Sequence, residues 1–213
     1  MNYNIVTITR KYWKNMETIK YTKQDIDIVA KELLNKKIIA FPTDTVFGLA
    51  CMMDIEAIKK VYIAKGRDFN KPLPMMCNGY EMINKVAYID EHTKKIINKF
   101  MPGALTIVFN KKENVDDYIT QGLNTIGIRV PDDEWILSLI KKIGTPIMVT
   151  SANISNAGSL LKWEDVYESM NGKIDGIVMD DARGESSSTI IDVTSDLKLL
   201  REGPIPFKEI EAI

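Results

Sequence analysis

The sequence predicts an α/β layer fold, and three observations carry that expectation. Short apolar stretches rich in β-branched residues recur along the chain. Between them lie longer stretches whose apolar residues repeat at helical spacing. No internal repeat, low-complexity tract or linker divides the 213 residues. Strands mixed with amphipathic helices bury their apolar faces against one another in layers.

The elements read as follows. A helix follows Thr22, whose hydroxyl suits an N-cap, with Ile26, Val29, Ala30, Leu33 and Leu34 on its apolar face. Ile38 to Phe41 is a buried strand ended by Pro42, and Leu49 to Met52 is a second. Asp54 can cap a helix with Ile55, Ile58 and Tyr62 on one side. Leu73 to Cys77 reads as a strand. Ile96, Ile97 and Phe100 mark a helix that stops before Pro102 and Gly103. Strands follow at Leu105 to Phe109 and Thr125 to Val130. Glu134 to Ile143 is a helix with Gly144 just past its end. Ile147 to Val149, Gly176 to Met179, Thr189 to Val193 and Lys198 to Leu200 complete the strands.

Composition narrows the function. With 45% hydrophobic residues the chain can build a core, and a net charge of -1 excludes a polyelectrolyte binder of nucleic acid. The two cysteines, Cys51 and Cys77, are far apart, and no CxxC pair or Cys/His cluster exists. That excludes a zinc ribbon, leaves no resident metal site to expect, and suits a reducing cytoplasm. No apolar run approaches the roughly 20 residues of a membrane span. The first 24 residues carry Arg10, Lys11, Lys14, Lys20 and Lys23 against one acid, Glu17, without the apolar core of a secretion signal. Residues 1–22 therefore read as an exposed or partly ordered extension, and 23–213 as one domain.

The chain has no GxxxxGK[ST] loop and no GxGxxG. Its single histidine, His92, falls on the exposed face of a helix, so Ser-His-Asp and Cys-His catalysis are not expected. The polar residues that remain sit at strand ends and turns. Thr43-Asp44-Thr45 interrupts a strand, where the side chains could equally bond their own backbone. Lys65, Arg67 and Lys71 place three cations within seven residues after a helix, where they could grip phosphates or merely complement the helix dipole. Arg129 stands in an apolar strand and needs a partner or a ligand. Thr150 to Asn153 follows another strand, at the end where open α/β sheets bind ligands.

Taken together, PTDTVFGLA (42–50), KGRDFNKPL (65–73), PGALTIV (102–108), GIRVP (127–131), TSANIS (150–155), STIID (188–192) and REG (201–203) resemble the YrdC-like threonylcarbamoyl-AMP synthases, in their short form. The resemblance runs from about residue 24 to 206. It implies a twisted, open, mostly parallel or mixed sheet flanked by helices around a basic cavity. It also implies synthesis of L-threonylcarbamoyl-AMP from L-threonine, bicarbonate and ATP, with Mg²⁺ accompanying ATP and pyrophosphate leaving. The product would feed threonylcarbamoyl modification of the tRNA adenosine next to the anticodon. A tRNA threonylcarbamoyl transferase complex is then the downstream partner, with room for a weak tRNA or RNA contact.

By the same resemblance Lys65, Arg67, Ser151 and Asn153 form a KxR…SxN nucleotide signature, joined on ATP by Arg201. Thr45, Lys71, Arg129 and the hydroxyl of Ser188 or Thr189 match positions around threonine and the reacting carbamate. Lys65, Arg67 and Arg129 are the implied catalytic cations, and the segment from Lys65 to Lys71 is expected to help cover the site. Two departures stand out: Asp68 where the family usually has proline, and Asn156 where it often has glycine. The alternative reading is a non-catalytic RNA-binding or ribosome-associated module. Its rarer rival is a carbamoyl-transfer domain like that of hydrogenase-maturation proteins.

Overall fold

In the computed structural model, residues 17–155 and 157–213 are described. Arg10, Lys11, Lys14 and Asn156 lie outside them.

The strands are β1 (Ile19–Tyr21), β2 (Ile39–Phe41), β3 (Gly48–Cys51), β4 (Met75–Met76), β5 (Leu105–Asn110), β6 (Thr125–Arg129), β7 (Ile147–Ser151), β8 (Gly176–Val178), β9 (Thr189–Asp192) and β10 (Lys198–Arg201). They form one open sheet in the order β1-β8-β2-β3-β7-β4-β6-β5-β9-β10. Pairs β1–β8, β2–β8, β4–β6 and β5–β9 are parallel and the rest antiparallel, so the mixed form is the one realised. Within the stretch 1–22 read as an exposed or partly ordered extension, Ile19–Tyr21 pairs with β8 and buries Tyr21.

The helices are α1 (Ile26–Leu34), α2 (Ile55–Lys65), α3 (Tyr80–Val86), α4 (Glu91–Phe100), α5 (Asp117–Thr120), α6 (Glu134–Ile143), α7 (Trp163–Met170) and α8 (Phe207–Glu211). Of the four expected from the sequence, α2, α4 and α6 have both a cap and a period. Asp54 accepts from the Glu56 and Ala57 amides at 3.0 and 3.1 Å, and Asp133 accepts from Ile136 at 3.0 Å. Gly66 and Gly144 end α2 and α6 in left-handed conformations that a side chain would strain. Thr22 caps a single 3₁₀ turn (Lys23–Asp25) through Asp25, and α1 starts after it. Leu34 and Ile55, placed on apolar faces by spacing, are instead exposed.

Alternate residues of the central strands enter two cores on opposite faces. Ala40, Leu49, Cys51, Met75, Met148 and Ile177 face one core, which continues under β5, β6 and β9 and takes residues from α2, α3, α4, α7 and α8. Ile39, Phe41, Ala50, Met76, Ile147, Val149 and Val178 face the other, covered by α1 and α6. That second helix layer reaches β4 and goes no further. On the same face beyond it, Thr125, Gly127 and Arg129 of β6, Thr106 and Val108 of β5 and Ile190 of β9 line a cleft instead. The end of one helix layer is what makes room for a site.

Cys51 and Cys77 are fully buried free thiols in the first core. Burial pushes the Cys51 thiol far up and the Cys77 thiol up to about 12. A thiol reagent at pH 8 should therefore label neither cysteine in the native protein and both after denaturation. Fast native labelling would contradict this packing.

Candidate active site

The cleft has a volume of about 350 Å³. Of the residues singled out in the sequence, Thr45, Arg67, Arg129, Ser151, Ser188 and Arg201 line it, whereas Lys65, Lys71, Asn153 and Thr189 do not. Its walls are the turn between β2 and β3, the loop after α2, the end of β7 and the edge formed by β9 and β10.

Arg129 ends β6 and is only 5% exposed. It has both of the partners that a buried charge requires. Nη2 donates to Asp44 Oδ2 at 2.7 Å, Nη1 donates to Thr45 Oγ1 at 2.6 Å, and Nε donates to the Gly103 carbonyl at 3.0 Å. Burial lowers its pKa and Asp44 opposes that. One N–H remains on each Nη for a ligand. Asp44 Oδ2 also accepts from the Asp132 amide, and Oδ1 is buried without a partner among the described residues.

Proton counting fixes the polarity of the neighbouring hydroxyls. Thr43 Oγ1 donates its one proton to the Val46 carbonyl at 2.7 Å and accepts from the Thr45 amide. In the 3.0 Å contact between the two hydroxyls Thr45 must then be the donor. Thr45 Oγ1 is thus left to accept, from Arg129 and from whatever occupies the cleft.

Lys65 and Arg67, adjacent in the nucleotide signature, play separate parts. Lys65 is 1% exposed and points beneath the turn at the end of β7. Its ammonium donates to the Ser151 carbonyl, to the Asn153 carbonyl at 2.6 Å and to Asn153 Oδ1 at 3.1 Å. Burial, with Arg67 adding to it, brings this group down to about 7. Three acceptors for three N–H groups work the other way, and the geometry is that of the charged form. The Asn153 amide is likewise spent on Lys65, on Ser151 Oγ at 2.6 Å and on the Ile154 and Ala157 carbonyls. Lys65 and Asn153 therefore build the turn that presents Ser151, while Arg67 faces the cleft. Arg67 is held by the Lys71 and Pro72 carbonyls, both at 3.1 Å. Lys71 itself is exposed, contributing its carbonyl.

Ser188 and Thr189 also divide. Ser188 Oγ lies 2.8 Å from Thr106 Oγ1 across the cleft face. Thr189, one residue on and therefore on the other face, donates to the Ile205 carbonyl at 2.7 Å and accepts from its amide at 3.2 Å. Of the two hydroxyls left open by the sequence, Ser188 is the one on the cleft, and Thr189 clamps the C-terminal segment. A register shift between Leu199 and Arg201 lets both Leu200 and Arg201 reach the cleft. Arg201 donates from Nε and Nη2 to the Ser188 carbonyl at 3.0 and 2.7 Å. Gly203 is required behind it, because a Cβ there would sit 2.4 Å from the Thr189 nitrogen.

Among the described residues, neither Arg67 nor Arg201 is ion-paired with an acid. Both are steered by backbone carbonyls and keep their charge for the cleft. The sequence reading missed Asp44 as a counterion, Thr43 and Thr106 as hydroxyl partners, and Arg183, which donates to the Asp132 carbonyl and to Asp133 Oδ2 at 3.2 Å. His92 is exposed on α4, as expected.

This division predicts two different mutant phenotypes. Lys65→Met should lower the melting temperature, since each buried acceptor left unpaired costs about 1–3 kcal/mol. Arg67→Met should melt like wild type and lose anion affinity. A Lys65→Met protein with unchanged melting would put Lys65 back among the ligands.

Comparison with known proteins identifies the family of this fold. A family model described as telomere recombination, covering Sua5, YciO and YrdC, matches residues 31–203. A Methanocaldococcus jannaschii protein provisionally named threonylcarbamoyl-AMP synthase is 36% identical over 193 residues, 88% of this chain and 90% of its own length. The threonylcarbamoyl-AMP synthases of Pyrococcus abyssi and Bacillus subtilis are 38% and 37% identical over 88% and 85% of this chain. This chain spans only 56% and 54% of those two proteins. The crystal structure of P. abyssi Sua5 complexed with L-threonine superimposes with a TM-score of 0.82 at 36% identity, covering 92% of this chain and 60% of that one. Since the matched stretch holds every strand of the sheet but β1, together with the whole lining of the cleft, the chain belongs to the Sua5/YciO/YrdC family.

Proposed function

We propose that this chain is an L-threonylcarbamoyladenylate synthase, a nucleotidyltransferase that joins L-threonine, bicarbonate and ATP into threonylcarbamoyl-AMP and releases pyrophosphate and water. The observation that carries the reading is one cleft lined by Arg67 and Arg201, without acid partners among the described residues, and by Arg129 beside an acceptor hydroxyl. The named synthases among its relatives support it.

The chemistry asks for positioning and charge neutralisation rather than a histidine base. The threonine amine attacks the carbon of bicarbonate, water leaves, and a carbamate forms. A carbamate oxygen then attacks the α-phosphorus of ATP, and the bond to pyrophosphate breaks. Arg67, Ser151 and Arg201 surround the triphosphate in this reading, with Lys65 and Asn153 holding the Ser151 turn from below. Mg²⁺ arrives on the triphosphate as part of the substrate. The two remaining Nη protons of Arg129 take the threonine carboxylate, a pairing that guanidinium geometry suits. Thr45, able only to accept, takes an N–H of the amine, and Ser188 lies within the same wall. The product fits a consuming transferase that carries the threonylcarbamoyl group to the tRNA adenosine next to the anticodon.

Pyrophosphate release should require both threonine and bicarbonate. Among amino acids the order should be threonine, then serine, then valine. Serine loses a methyl worth about 1–3 kcal/mol, whereas valine leaves a buried polar group of the site unpaired. Equal rates with all three, or release without an amino acid, would reduce the protein to a nucleotide hydrolase.

A further inference from the structure

The loop between α2 and β4 holds Arg67, and its shape depends on a half-exposed aromatic residue. The Phe69 ring stacks on Tyr62 with centroids 4.9 Å apart and planes 27° from parallel. Tyr62 belongs to α2 and is 1% exposed, whereas Phe69 is 48% exposed. The Tyr62 hydroxyl donates to the Lys71 carbonyl at 2.8 Å. That same carbonyl accepts from Arg67 Nε, and the next one, of Pro72, accepts from Arg67 Nη2. Between the ring and the carbonyls lies a tight turn. The Lys71 amide donates to the Asp68 carbonyl at 3.1 Å, and the Asn70 amide donates to Asp68 Oδ1 at 3.0 Å.

Asp68 therefore spends its carboxylate on the turn, and it makes no ion pair with Arg67 among the described residues. The acid that stands where the resembling family has proline does not quench the neighbouring cation. It starts a turn, as Asp does at the first position of β-turns. A turn closed by one backbone and one side-chain bond is less rigid than a proline ring, so a contact that adds to the Tyr62–Lys71 bond in keeping it against the helix has an effect. The only large apolar side chain in the turn is Phe69, and it lies flat on the one buried ring beneath it.

We propose that Phe69 is a positioning residue for the anion end of the cleft: stacked on Tyr62, it latches the 68–71 turn so that the Lys71 and Pro72 carbonyls hold the Arg67 guanidinium in place. The assignment of that end to the triphosphate rests on the function proposed above. Phe69 touches no ligand itself. A stack of this kind is worth about 3- to 10-fold in an equilibrium constant.

The test is MgATP binding by calorimetry alongside KM values for ATP and threonine. Phe69→Ala should raise the MgATP Kd and the KM for ATP about 3- to 10-fold, leave the KM for threonine unchanged, and melt within a few degrees of wild type. Phe69→Tyr, which keeps the ring, should bind like wild type, and Phe69→Leu, which keeps bulk without a flat face, should bind like Phe69→Ala. Unchanged Kd in Phe69→Ala, or an equal rise in both KM values, would overturn the latch. A wild-type protein that binds MgATP and yet releases no pyrophosphate with threonine and bicarbonate would overturn the function alone, because the Kd series still reads the latch.

Discussion

A buried guanidinium is the constraint around which the site is arranged. Arg129 stands at the end of an apolar strand, and a charge there is tolerated only if it is compensated and hydrogen-bonded. Asp44 supplies the charge and Thr45 and the Gly103 carbonyl the remaining bonds. The Asp44 turn leaves β2 and enters β3, and two further strands lie between β3 and β6 in the sheet. One ion pair thus ties the turn to a strand across β7 and β4 and sets the depth of the cleft between them. The pairing dictates neighbours as well. Gly184 passes so close over the turn that a Cβ would lie 2.4 Å from the Thr45 carbonyl, and only glycine fits.

The arginines of the cleft are held by two different means, and the difference decides where charge is available. Arg129 is matched by an acid, so it offers directed N–H groups with little net charge. Arg67 and Arg201 are oriented mainly by backbone carbonyls, so among the described residues no acid meets their charge. The chain as a whole is near neutral at -1, yet this concavity is strongly basic. A preorganised field of that kind stabilises transferring phosphate without any base.

Much of this was legible in the sequence where local chemistry is decisive. α2, α4 and α6 each pair an aspartate cap with a helical period, and Arg129 advertised its need for a partner. The shorter α3, α5, α7 and α8 bury too few residues to show a period; α7 hides only Val166 and Met170. Tertiary placement was beyond reach. β8 enters the sheet between β1 and β2 from far along the chain, which is also why Ile19–Tyr21 reads as part of a tail. Ser188 and Thr189 differ only in which face the sheet turns toward the cleft. Lys65 and Arg67 look alike as neighbouring cations, and only the fold sends one under the turn and the other over it. Asp44 looks like a turn residue because its counterion is 85 positions away.

The most direct measurement is a crystal structure with L-threonine and a non-hydrolysable MgATP analogue. The account predicts the threonine carboxylate on the free Nη protons of Arg129 with the Asp44 pair intact. It also predicts the triphosphate between Arg67, Ser151 and Arg201, with Lys65 still bound to the Ser151 and Asn153 carbonyls. Ligands bound outside this cleft, or a Lys65 ammonium withdrawn from the turn to the phosphates, would contradict it.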